Sequence, residues 1–524
     1  MKQSKLRLVA LILTAAVFLC GCLSAGEAVP YKKMEYQRPD VAAVQQALDT
    51  ACQAAAGQDT EAILEAVYSF YDAYDWFYTC YALAQIRYSG DLTDIYWEQE
   101  ADYCGQSSAL VDQALETLND TLAQSPCRKA LEEEFFGEGF FDSYDGENLW
   151  DEEFSDMLTQ EALLESRYYE LSEQSLDYEY GSEEYYDACA GDMAQLLVEL
   201  IALRQEMAAY WGYSDFAQYD GDFYYYRDYT TAQSEALLED IRQELVPLYR
   251  RYNTAQAWEA SWEPSSEQQT PSYVRKAAKN MGGMAAEAFS LMESAGLYDI
   301  AYGENKYNSS FEIYLLSYQE PFIFMNPTLT AYDQLTLAHE FGHFCNDYAS
   351  FGSCAGLDVM EFFSQGMEYL SLCYGEDTQA LIQVKLLDSL CTYVEQAANA
   401  SFEQQMYELE GEALTVENLY ALYDQVARSY GLEYEGYDCR EFVTIPHYFT
   451  DPMYMISYVV SNDAAMQLYR MEQEQPGAGL KLYEENLSTE EGYFLVFLDS
   501  AGLESPFASG RMAQVRELFE EELG

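Results

Sequence analysis

From about residue 41 to about residue 300, apolar side chains recur every three or four positions, as in Ala194, Leu196, Leu197, Leu200, Ile201 and Leu203. This spacing puts them on one face of a helix and leaves the polar residues on the other. Only 12 prolines and 30 glycines interrupt 524 residues, so long helices can run unbroken. The expected fold class is therefore mostly α. Near Phe311 the period changes to two: Phe311, Ile313 and Leu315 alternate with Glu312, Tyr314 and Leu316, and Pro321-Phe322-Ile323-Phe324-Met325 follows as a short apolar run. That pattern predicts a small element of two strands. A Thr330-x-x-Asp333 pattern then announces a helix through Leu335, Leu337, His339 and His343. The 49 tyrosines, some in runs such as Tyr224-Tyr225-Tyr226, are read as interior and rim residues whose rings pack while their hydroxyls find a partner or water.

Against 26 Lys and Arg stand 91 Asp and Glu, a net charge of −65 that repels phosphate backbones and excludes nucleic acid as a partner. The N-terminus is an exception. Lys2, Lys5 and Arg7 precede an apolar run from Leu8 to Leu19, too short for a stable membrane span but fitting a signal peptide. Leu19-Cys20-Gly21-Cys22 resembles a bacterial lipoprotein box, in which residues 1–21 are removed and Cys22 receives the lipid. An ordinary secretory signal cut nearby is the alternative. The expectation is thus an exported protein, held to the membrane on its extracytoplasmic side only through that lipid, with residues 22–40 as a tether. Ten further cysteines contain no CxxC pair and exclude a small disulfide scaffold, although Cys345 and Cys354 are near enough in sequence to pair.

The chemistry is concentrated in His339-Glu340-Phe341-Gly342-His343. Two imidazoles at i and i+4 share a helical face and can grip one Zn²⁺, while Glu340 beside them can take a proton from an attacking water. With only three histidines in the chain, this arrangement is a strong signal. A further histidine six residues on, as in metzincins, is absent, because Ala349 stands there. Spacing leaves the third ligand open between His447 and a carboxylate, with Asp358, Glu361, Gln365 and Glu368 lying on one face of a following helix.

These segments resemble a known family. Pro321 to Asn326, Asp333 to His343, Leu203-Arg204, Trp211-Gly212-Tyr213, Asp358 to Gln365, Phe402-Glu403 and Ile445-Pro446-His447-Tyr448-Phe449 leading to Tyr454 resemble the M3 zinc oligopeptidases, and more closely the oligoendopeptidase F branch. The resemblance covers residue 190 to the C-terminus and is loose over residues 41–190. It implies a two-lobed helical zincin with an N-terminal helical lobe at 41–230, a catalytic lobe at 231–524 and a deep central channel that admits short unfolded peptides. It also implies His339, His343 and Glu361 as zinc ligands, Glu340 as general base, and Asp358 as the residue that orients a ligand imidazole. Glu368 is expected to be dispensable for the metal. His447 and Tyr454, with Tyr458 as a second candidate, would stabilise the oxyanion, and the strand at 322–325 would pair with the substrate backbone. Three departures stand out: Asn308-Ser309-Ser310 replaces a frequent Gly-Ala pair, Ile456 replaces a tyrosine, and Asn346 replaces the His or Ser that commonly follows the motif. The function expected is a zinc endopeptidase of short peptides, and the alternative is a peptide-binding lipoprotein on the same fold that has lost turnover.

Overall fold

The computed structural model describes residues 28–144, 152–175, 178, 181–352, 355–376, 378–434 and 437–524. The expected signal peptide and Cys22 lie outside these residues, and so does Cys354. The described part is mostly helical with one small sheet, as the apolar periodicity requires.

Three helices open the body: α1 (Val41–Ala55), α2 (Thr60–Gly90) and α3 (Ile95–Ala123). Each is capped by an aspartate, Asp40, Asp59 or Asp94, whose carboxylate accepts a first-turn N–H from Ala42, Ala62 or Tyr96. Part of the chain's acidity therefore terminates helices. Their apolar faces enclose a core of their own, with Leu48, Val67, Phe70, Phe77, Val111 and Leu118 at its centre.

The next helices, α4 (Glu152–Ser175) and α5 (Glu183–Tyr210), join a second and larger core, to which α5 gives Leu196, Leu197, Leu200, Ile201 and Leu203. The two cores share helix α2, which gives Phe70 and Phe77 to the first and Leu83 and Ile86 to the second. The tether needs correction. From Ala28 onward it lies on the body: Met34 is buried, the Tyr31 ring stands 4.4 Å from Phe322, and Arg87 donates to the Met34 carbonyl at 2.9 Å. Tyr36 and Arg38 both bond Glu100, at 2.6 and 2.9 Å. Apolar and aromatic side chains between two prolines gain more from burial than from hydration.

The sheet has three strands, β1 (Tyr298–Ile300), β2 (Ser310–Leu315) and β3 (Glu320–Met325), in the order β1-β3-β2. β3 pairs parallel to β1 and antiparallel to β2, with Ser310 opposite Met325 and Leu315 opposite Glu320. The periodicity predicts two strands, and the third is only three residues long, too short to show a period. Both edges of β3 are occupied, so it cannot take a substrate strand as the resemblance implies; β2 is the edge strand on that side. Alternation along β2 stacks Phe311 on Phe324 at 5.0 Å.

Helix α6 (Asp333–Ser350) follows the sheet, and α7 (Leu357–Tyr374), α8 (Gln379–Cys391), α9 (Ala397–Met406) and α10 (Met455–Glu474) complete the part that bears on the site. Asp333 starts α6 by reaching back to the N–H groups of Thr328, Leu329 and Thr330 at 2.9, 2.8 and 3.2 Å. Cys345 on this helix is buried and free. No helix among the described residues is long and apolar enough to cross a membrane.

Gly342 sets the distance between α6 and α7. A Cβ there would stand 2.5 Å from the Phe363 carbonyl oxygen and 2.6 Å from the Ser364 Cα, so any side chain would push the helices apart. Gly342→Ala is expected to destabilise the protein by about 1–3 kcal/mol, the usual cost of overpacking against backbone. Denaturant unfolding beside the wild type checks this, and an unchanged midpoint would contradict the close contact.

Candidate metal centre

His339 and His343 stand one turn apart on α6, with ring centroids 5.1 Å apart and planes at 78°. Because α7 approaches so closely at Gly342, the Glu361 carboxylate reaches the same point, and one ligand atom from each of His339, His343 and Glu361 lies within 4.8 Å of the others. Two imidazoles and a carboxylate converging on one point make a donor set suited to a catalytic zinc. His447 lies outside this group.

Each carboxylate oxygen of Glu361 is held by a hydroxyl: Tyr454 donates to Oε1 at 2.8 Å, and Ser364 to Oε2 at 2.9 Å. Imidazole Nδ1 of His339 lies 2.9 Å from Glu368 Oε1, which leaves Nε2 facing Glu361 Oε2 at 3.6 Å. Behind Glu368 the chain of charge continues through Lys385, 2% exposed, at 2.8 Å, to Asp388 at 3.0 Å, which accepts from the Tyr332 hydroxyl at 2.9 Å. Burial works against charge on His339, but the bond to Glu368 and the fields of Glu361, Glu368 and Glu340 prevail and raise its pKa to about 9. Burial pushes His343 down to about 4, with the Glu361 field opposing and the His339 charge assisting. Burial would also raise the Glu368 carboxyl, yet Lys385 and His339 hold it below the ordinary value. The protein has thus assembled surplus negative charge around His339 and kept His343 neutral, as a ligand must be.

Asp358 does not orient a ligand imidazole. It accepts from the Tyr229 hydroxyl at 2.9 Å and faces Arg227 Nε at 3.9 Å. It lies one turn before Glu361 on α7, whereas Glu368 lies two turns after it, where α7 passes His339. The place expected of Asp358, against a candidate ligand imidazole, is taken by Glu368.

Glu340 is buried to 7% exposure, and Ser310 at the start of β2 donates to its Oε1 at 2.7 Å. Burial raises its pKa, while the His339 charge and the Ser310 bond pull the other way. In the sequence Ser310 is visible only as a departure from the Gly-Ala pattern, and its partner cannot be read there. On the far side, His447 occupies a short helix (His447–Thr450), with its ring 4.9 Å from Tyr454 and 6.3 Å from Tyr458. Burial lowers the His447 pKa against the opposing fields of Asp451 and Glu361, which favours a neutral ring. Tyr454 and Tyr458 stand 5.0 Å apart.

Residues 31–147 match the family model described as the Peptidase M3 N-terminal domain. PZ peptidase A, solved with an inhibitor, superposes with a TM-score of 0.80 at 19% identity over 94% of this chain and 98% of that one. The chain shares the fold of this peptidase. A structure described as a candidate oligoendopeptidase F from Bacillus anthracis strain Ames gives 0.75 at 20% identity, covering 95% of this chain and 98% of that chain. The oligoendopeptidase F of Enterococcus faecium gives 0.61 at 15%, covering 92% and 96%. No curated protein sequence matches. The resemblance read from residues 190 onward and the family match over residues 31–147 fall on different parts of the chain, and both lead to the M3 fold.

Glu368→Ala is expected to weaken zinc binding about 10–100-fold, the usual effect of removing the carboxylate behind a ligand histidine. Asp358→Ala should leave affinity nearly unchanged. Competition with a chromophoric chelator measures both, and the reverse ranking would restore Asp358 to the orienting role.

Proposed function

We propose that this protein is a zinc-dependent endopeptidase that cuts internal bonds of short unfolded peptides outside the cytoplasm, anchored by a lipid on Cys22. The observation that carries the reading is the convergence of His339, His343 and Glu361 within 4.8 Å, beside a buried Glu340. The M3 fold and the match to the M3 N-terminal domain support a metallopeptidase. When bound there, zinc supplies Lewis acidity toward the scissile carbonyl and lowers the pKa of water.

The remaining chemistry belongs to the chain. Glu340, held by Ser310, takes the proton of the attacking water and returns it to the nitrogen of the departing amine. His447, packed beside Tyr454, and the Tyr454–Tyr458 pair supply the donors for the oxyanion. Tyr454 rests on Glu361, so its hydroxyl is already within the site before substrate arrives. The outer edge of β2 begins at Ser310, next to Glu340, and a peptide added there as a further strand would be recognised through its main chain. Such recognition suits unfolded peptides of varied sequence, and a channel around the centre would exclude folded proteins.

The rival reading, a peptide-binding lipoprotein without turnover, is disfavoured because Glu340, the three converging candidate ligands and His447 are all present in the chain. Glu340→Gln is expected to keep zinc and lose several orders of magnitude in kcat on a quenched peptide, because the ligands stay and the base is gone. Wild-type cleavage by this variant would remove Glu340 from the reaction. For the anchor, Cys22→Ser in the full-length precursor should abolish metabolic labelling with a fatty acid and release the protein from the membrane fraction. Unchanged labelling would place the lipid elsewhere.

A further inference from the structure

We infer that Arg227 and Glu403 are positioning residues that aim Tyr454 at the metal centre through the backbone of Met453; this rests on the peptidase reading above. Met453 has φ +61°, a left-handed conformation that costs a non-glycine residue energy and persists only where the surroundings impose it. Both of its backbone polar groups are taken by buried ionisable side chains. Its N–H donates to Glu403 Oε1 at 3.0 Å, and its carbonyl accepts from Arg227 at 2.8 Å. Arg227 donates equally to Ser457 Oγ at 2.8 Å, on the first turn of α10, so it spans the two sides of Tyr454.

The opposite face of Arg227 looks toward Asp358 at 3.9 Å, one turn before Glu361 on α7. One guanidinium therefore ties the helix that carries the candidate carboxylate ligand to the turn that carries the tyrosine bonded to it. The other end of the segment is held in the same way. Arg204, wholly buried on α5, donates to the carbonyls of Tyr448 and Phe449 at 3.2 and 2.6 Å, and its charge is met by Glu161 and Glu165 at 2.6 and 3.1 Å. The segment from His447 to Tyr454 is thus tied at both ends, beside each of its two site residues.

Buried ion pairs are a poor means of stabilising a fold, since well-packed apolar residues often do as well or better. Placing Arg227 and Glu403 here instead satisfies main-chain groups in a strained turn, which no apolar side chain can do. Glu403 Oε2 and Arg227 Nε have no hydrogen-bond partner among the described residues, so the bonds these two side chains make to the Met453 backbone are not by-products of saturated networks of their own. What the arrangement does secure is the direction of the Tyr454 side chain.

The test uses Glu403→Ala, Glu403→Gln and Arg227→Lys in the full-length protein. Glu403→Gln keeps an oxygen for the Met453 N–H, whereas Glu403→Ala removes it. Zinc content and unfolding midpoint are measured first, then kcat and KM on a short peptide, then hydrogen exchange of the peptide spanning residues 451–457 in the metal-free protein. Glu403→Ala is expected to retain zinc, to lose about 10–100-fold in kcat with little change in KM, and to exchange faster at 451–457. Glu403→Gln should recover most of both signals, and Arg227→Lys should fall between them. Equal kcat in Glu403→Ala and the wild type, or unchanged exchange at 451–457, would overturn the inference. A wild type that binds zinc but cuts no peptide would sink the peptidase reading, and the exchange data would still decide whether this pair holds the turn.

Discussion

The contact of α6 with α7 at Gly342 governs the rest of the arrangement. Two histidines on one helix can share a metal by spacing alone, but the third donor must come from elsewhere in the fold. Here it comes from a helix packed so closely that a methyl group would meet the Phe363 carbonyl and the Ser364 Cα. A glycine between two ligand histidines is therefore a tertiary requirement, set by the neighbour that brings Glu361. The same closeness brings Glu368 to His339 two turns further along α7.

Negative charge follows from that geometry. Glu340, Glu361 and Glu368 surround His339 with little water to screen them, and Lys385 is the cation placed directly against Glu368. Such an assembly is unfavourable by itself and becomes favourable when a cation enters. The excess favours a proton on His339, while burial favours a neutral His343. A divalent metal would take the place of that proton and use both imidazoles as neutral donors.

Much of this arrangement is legible in the amino-acid sequence. Helical periodicity, the change of period at Phe311 and the His339–His343 spacing depend on local sequence, and each has its counterpart in the fold. Glu361 enters through family resemblance, since spacing leaves His447 and several carboxylates equally open. What the sequence hides depends on contacts between distant segments. Glu368 reads as a carboxylate on the helical face of Glu361 that the metal can do without, until Lys385 and His339 are seen on either side of it. Ser310 reads as a loop residue until β2 brings it to Glu340. The stretch before Val41 reads as a tether because it has prolines and lysines and few apolar residues, yet Tyr31 and Met34 suffice to seat it.

The account's central claim is that two imidazoles and the Glu361 carboxylate hold one zinc with a side open to substrate. The most direct measurement is a diffraction experiment on zinc-loaded crystals of the protein, with anomalous data collected at the zinc edge. The account predicts one strong anomalous peak bonded to His339, His343 and Glu361, with water in the remaining position and Glu368 still on His339. A peak bonded to His447 or to Glu368 in place of Glu361, or no peak between α6 and α7, would contradict it.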